Sequence, residues 1–143
     1  MMQMASEDAF TEIALAEQQV TGRPTLILCD RGVLDGSAYV TPELWHEVMD
    51  EMGYAGTNLI EKRYEAVVHM VTAAAGAEEF YNFSNAARFE NEEGARARDQ
   101  KLRDAYLGHQ KHIIVDNSSE NFEAKIRKSI GLISSVIGLP TDT

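Results

Sequence analysis

In the stretch TLILCDRGVLDGSAY, Thr25 to Tyr39, Asp30 and Arg31 stand at the end of an apolar run, and Asp35 follows on the next loop. Carboxylates are hard oxygen donors that suit Mg²⁺, directly or through water. A guanidinium is a planar, permanently charged fork that matches phosphate oxygens. An aspartate closing a buried strand can therefore hold a metal against a polyphosphate. Taken alone, the same aspartate reads as a cap or turn residue, the commoner use of that position.

Other reactive types are sparse. Cys29 is the single cysteine, so no internal disulfide forms, and its apolar surroundings predict a small buried hydrophobe. His46, His69, His109 and His112 are scattered without zinc spacing and read as structural or surface residues. Arg96, Asp99 and Arg103 are spaced by three and four and share one helical face, while Arg98 points elsewhere. Taken alone, that face is a solvated helix whose arginines pair with Asp99 and Asp104.

The elements that must position these residues alternate. Ser6 is the expected cap of a first helix, with Phe10, Ile13, Ala14 and Val20 on one face and Gly22 and Pro24 as its stop. Thr25–Asp30 predicts a strand buried on both faces. Thr41-Pro42-Glu43 starts a helix that runs to about Met52 and ends at Gly53. A short helix near Asn58–Tyr64 follows. Ala66–Thr72 and His112–Asp116 are the second and third strands, separated by a helix over Glu92–Leu107 that ends at Gly108. Phe122, Ile126, Ile130, Ile133 and Ile137 form a last helical stripe, closed by Gly138 and Pro140. Strands alternating with helices predict a three-layer α/β domain with parallel crossovers. Ligands bind such sheets at the carboxyl ends of the strands. This brings forward three places: Asp30-Arg31-Gly32, Thr72-Ala73-Ala74 and Asp116-Asn117-Ser118.

With 143 residues the chain suits one domain with a modest core. A formal net charge of −10 argues against broad nucleic-acid binding, because phosphate backbones reward basic surfaces. It leaves room for a small phosphorylated ligand at a local arginine cluster. The start, MMQMASEDAF, lacks the basic and apolar regions of a signal peptide, and a cytoplasmic location is expected.

The blocks LILCDRGVLDGSAYVTPELW, RYEAVVHMVTAAAGAEEFY, NAARFE, ARARDQKLRDAYLGH and IIVDNS occur in that order over nearly the whole chain. Together they resemble the AAA-related P-loop family that includes the TRPL translocation defect proteins and the nicotinamide riboside kinase-like domains. The resemblance implies a three-layer parallel sheet of P-loop NTPase type, here incomplete, with three strands recognisable and the P-loop strand missing. It implies Mg²⁺ with GTP or ATP as ligand. Asp30 would be the metal-side acid, Arg31 would lie near the phosphates, and Asp35 would face the acceptor or effector side. A lid over about 83–103 would carry Arg88, Arg96 and Arg103 to neutralise phosphate charge. Asn117 would belong to the base-contacting loop, where a cap for the final helix is the alternative.

The chain departs from that family in one respect. The pattern G-x-x-x-x-G-K-[ST] does not occur, and none of Lys62, Lys101, Lys111, Lys125 and Lys128 follows such a loop. Residues 1–143 are thus expected to be a single partial nucleotide-binding domain with no second domain present. A missing central strand would forfeit on the order of ten ladder hydrogen bonds, each net ~1 kcal/mol. Its open edges would favour self-association. Three functions compete. One is a regulatory nucleotide-binding module of the translocation defect type, meeting membrane or trafficking partners through an absent downstream domain. The second is a small-molecule, nucleoside-type kinase. The third is a remnant that binds no nucleotide.

Overall fold

A computed structural model describes residues 2–54, 62–77 and 91–139. The chain divides into two compact units, Met1–Ala55 and Gly56–Thr143.

The first unit opens with α1, Met2–Thr21. The expected cap at Ser6 is not one: α1 already runs through it, and the Ser6 hydroxyl donates back to the Met2 carbonyl at 3.0 Å. A serine inside a helix satisfies its hydroxyl on the preceding turn, so a capping residue type alone does not mark a start. The stop is where glycine allows it. Gly22 has φ 67° and donates to the Gln18 carbonyl at 2.8 Å, a left-handed end that a side chain would strain. Met4 is the buried residue of α1, while Phe10, Ile13 and Val20 of the expected inward face are exposed.

Thr25–Asp30 does not form the predicted strand. Its chain makes no ladder with any described segment, and Leu26 and Leu28 are 48% and 70% exposed. Cys29 is likewise exposed, not buried. The physical reason is that a strand exists only through a neighbour: apolar residues state a demand for burial but do not supply the hydrogen-bonding partner. A 3-10 helix, Val33–Tyr39, follows and buries Val33, Leu34 and Ala38. The next helix, α2, spans Pro42–Glu51 as its signals require. Thr41 accepts from the Leu44 amide at 3.3 Å, and Pro42 occupies the first turn, where no amide hydrogen is needed. Trp45 lies over Gly36, where an added Cβ would sit 2.8 Å from the indole ring.

The second unit is built on two parallel strands, β1 (Val67–Met70) and β2 (His112–Val115), registered Val67 with His112 and Met70 with Val115. Two of the three expected strands are therefore present among the described residues, each shorter than predicted. Between them runs α3, Glu92–Asp104, capped by the Asn91 side chain on the Gly94 amide. The last helix, α4, spans Phe122–Val136. Asn121 caps it through the Ala124 amide, so Asp116–Ser118 is not its cap. Its apolar stripe is only partly covered, with Ile126 and Ile133 half-buried. Phe122 is 73% exposed and Ile130 is exposed, while Lys125 and Ser129 are buried. Residues 125 and 129 are one turn apart, and the face they define carries Leu132 and Val136 further on. His109 ties the entry to β2: its Nδ1 accepts from the Lys111 amide, which leaves Nε2 to donate to the Tyr64 carbonyl at 2.9 Å.

No described helix is long and apolar enough to cross a membrane. The short helix expected near Asn58–Tyr64 lies largely outside the described residues, as does the proposed lid from 83 to 90.

Candidate functional site

In the first unit, the loop after the extended apolar segment holds Asp30, Arg31 and Asp35. Arg31 has φ 81°, a left-handed conformation that costs a side-chain-bearing residue on the order of 1–2 kcal/mol. The Gln3 carboxamide donates to the Arg31 carbonyl at 2.8 Å and fixes this turn against α1. Arg31 Nη1 lies 3.6 Å from Asp35 Oδ2, with the arginine exposed and the carboxylate mostly enclosed. Asp35 sits in the first turn of the 3-10 helix. The structure thus brings Arg31 and Asp35 together. Asp30 is exposed and pairs with no described residue. Its open carboxylate fits a cation that keeps most of its waters, as Mg²⁺ does. Among the described residues, no group of three or more His, Cys, Asp or Glu is placed to hold a metal ion.

In the second unit, polar side chains converge on the carboxyl ends of the two strands. The turn after β1, residues 71–75, is held from three directions. From α3, Asp99 Oδ1 accepts from the Thr72 amide at 2.8 Å, and Arg96 Nε donates to the Ala74 carbonyl. From the loop after β2, the Asn117 carboxamide donates to both Thr72 and Ala75 carbonyls at 2.8 Å. From α4, Lys125 Nζ donates to the Val71 carbonyl and to Asn117 Oδ1, both at 2.6 Å. Burial lowers the Lys125 pKa, and the carboxylates of Asp99 and Asp116 oppose that shift. Asp99 also lies 3.2 Å from His69 Nε2, off the line of a hydrogen bond. His112 is set edge-on to His69 at 6.3 Å between ring centres, and desolvation, with repulsion from His69, His109 and Arg103, lowers its pKa. In the loop after β2, Asp116 accepts from the Ser118 hydroxyl at 2.6 Å and from Lys128 at 3.3 Å. These bonds hold its pKa at about 2.

The site residues read from sequence therefore have different standings in space. Arg96 and Asp99 do share a face of α3 and reach the same turn. Their partners are not each other: Arg96 lies 3.6 Å from Glu92, and Asp104 accepts from Gln100. Arg103 is near His112. Asn117 stands where expected, but both its amide hydrogens go to protein carbonyls, so a direct base contact through them would break this arrangement. Arg88 lies outside the described residues. Sequence reading missed Lys125. The available signal was a lysine on the same helical face as Leu132 and Val136, a place where a charge is costly unless bonded.

A family model described as an AAA domain matches residues 2–125. No curated protein and no solved structure matches the chain. The matched span covers most of the sequence, including the Asp30–Arg31 loop, both strands and Lys125. The chain belongs to this AAA domain family, a group of P-loop NTPase-like proteins.

Proposed function

We propose that this is a nucleotide-binding domain that takes GTP or ATP with Mg²⁺, on a three-layer parallel sheet of the P-loop type. The observation that carries the reading is the family match over residues 2–125. The loop chemistry supports it. Asp30 presents an open carboxylate suited to a hydrated Mg²⁺, and the next residue, Arg31, presents an exposed guanidinium. Mg²⁺, when bound, would offset the charge of the phosphates. The first unit's own part is to orient and neutralise, with Asp30 on the metal side and Arg31 on phosphate. Asp35 holds the Arg31 fork and would release it to an incoming phosphate. The finer role we propose is regulatory, of the translocation defect type, in the cytoplasm and in membrane-protein traffic.

The test is a titration of the isotope-labelled chain with Mg·GTP and Mg·ATP, followed by NMR. No glycine-rich phosphate cradle lies within these 143 residues, so affinity is expected to be no tighter than about millimolar. Shifts at Asp30 and Arg31 should require Mg²⁺ and disappear in Asp30→Ala. The reading fails if neither nucleotide moves these signals at about 10 mM, some tenfold above that constant.

A further inference from the structure

The second unit contains a buried cation that the proposed chemistry does not use. Lys125 is 6% exposed, and its ammonium is bonded to one backbone carbonyl and one side-chain carbonyl. Taking an ammonium out of water costs several kcal/mol, and a well-packed apolar residue in its place is often neutral or stabilising. Docking α4 on the sheet would therefore be served as well by leucine or methionine. What an apolar residue cannot do is choose the orientation of a carboxamide.

We infer that Lys125 is a positioning residue for a nucleotide received at the carboxyl ends of β1 and β2, within the second unit, where it sets the Asn117 carboxamide and thereby joins the turn after β1 to the loop after β2. An ammonium only donates, so Asn117 must turn its oxygen towards Lys125. The Asn117 nitrogen then faces the opposite way, where the Thr72 and Ala75 carbonyls take its two hydrogens. Lys125 itself closes the set on the Val71 carbonyl. One cation thus fixes one amide, and that amide fixes the turn at residues 72–75. Both loops lie at the carboxyl ends of parallel strands, where α/β sheets receive their ligands. The carbonyls of residues 71, 72, 74 and 75 all point to protein donors. The turn consequently cannot swing its carbonyls towards an incoming anion, and a phosphorylated ligand meets a surface free of that repulsion.

This inference rests on the nucleotide reading, and the experiment separates the two. Lys125→Met and Lys125→Arg are compared with the wild-type chain for nucleotide affinity, by the same Mg·GTP and Mg·ATP titrations, and for hydrogen exchange of the Asn117 carboxamide. Lys125→Met should remain folded by circular dichroism, speed carboxamide exchange about tenfold or more and weaken affinity at least about threefold, the loss of roughly one good hydrogen bond. Lys125→Arg, which keeps the donor and charge, should recover most of both. A purely helix-docking lysine would leave a folded Lys125→Met with wild-type affinity, and that result overturns the inference. So does unchanged carboxamide exchange. If Lys125→Met does not fold, Asn117→Ala takes its place, and an affinity equal to wild type again overturns it. A wild-type chain that binds neither nucleotide refutes the nucleotide reading first, and the inference with it.

Discussion

The Asp30–Arg31 loop and the Thr72–Ala75 turn were both marked by the same sequence logic, a polar residue after an apolar run, yet they are held very differently. The turn follows a paired strand and is fixed by Asp99, Arg96, Asn117 and Lys125 from three other segments. The loop follows a segment that makes no ladder among the described residues; there the Gln3 carboxamide from α1 meets the Arg31 carbonyl, and Arg31 pairs with Asp35 close by in sequence. A ladder sets the position of each carbonyl beyond the strand end, so side chains elsewhere can evolve to meet them. Without a ladder, only contacts close in sequence or in an adjacent helix can do so. The charges that look most suited to a ligand therefore lie beyond the segment without a ladder, and the cluster beyond the paired strands serves as support.

The largest expected effect breaks the rigid side. Asp99→Ala leaves the Thr72 amide without its charged acceptor in a largely enclosed place. A hydrogen bond to a charged group is worth about 1.5–3 kcal/mol, and we expect a loss near 2–3 kcal/mol in urea unfolding of the second unit. A loss under about 0.5 kcal/mol would mean the turn holds itself. Next in size is Gly36→Ala in the first unit. The new Cβ would sit 2.8 Å from the Trp45 ring, and overpacking of this kind costs about 1–3 kcal/mol. Trp45 is the only tryptophan, so its fluorescence reports this packing directly. An unchanged emission spectrum and stability would show that the ring moves aside freely.

Acid should act on the second unit in two steps. Burial depresses the His112 pKa below its ordinary 6.5, so the folded state resists the charge that the unfolded chain accepts. Stability from this source is full above 6.5 and falls as pH drops through that value towards the folded one. The melting temperature should thus be lower at about pH 5.5 than at about pH 7.5, with a shallower slope in His112→Asn. Asp116 works at lower pH. Its folded value of about 2 against 3.8 gives stability above 3.8 that is lost as pH falls towards 2. Ser118→Ala removes the first cause and should bring the Asp116 titration back towards 3.8, read by carboxyl carbon NMR. A titration still near 2 would assign the shift to Lys128 and the residue-118 amide.

The same contrast explains what could be read from the residues. The start of α2 was legible because Thr41 and Pro42 act on their own backbone, as were the ends at Gly22 and Gly53, where φ is positive; α3 stops at Asp104, short of the expected end at Gly108. β1 and β2 were legible because each carries apolar residues and each found the other. Thr25–Asp30 was not, because its pattern says that it seeks burial and is silent on what covers it. The stripe on α4 did not show which face meets the sheet, for a related reason. Isoleucines at helical spacing mark a surface that prefers to be covered, while the face that meets the sheet is the one whose lysine finds carbonyls. Asn117 was located by its place after a strand, but its bonds run to residues more than 40 positions earlier and could not be inferred from local sequence. Lys125 depends on that same distant turn.

The smallest expected effect is the sharpest test of how loosely the first loop is held. Arg31 occupies a left-handed conformation, at a cost of about 1–2 kcal/mol that glycine does not bear. Arg31→Gly removes that strain. It also loses an exposed ion pair worth about 0.2–1 kcal/mol and adds roughly 0.5–1 kcal/mol of unfolded-chain entropy. The gains and losses nearly cancel, and stability should change by less than about 0.5 kcal/mol in urea unfolding followed by Trp45 fluorescence. The Mg²⁺-dependent nucleotide shifts should nevertheless be lost with the guanidinium. A destabilisation above about 2 kcal/mol would show instead that the arginine is a structural member of the loop, as Lys125 is of the cluster around residues 71–75, and the contrast between the two regions would have to be abandoned.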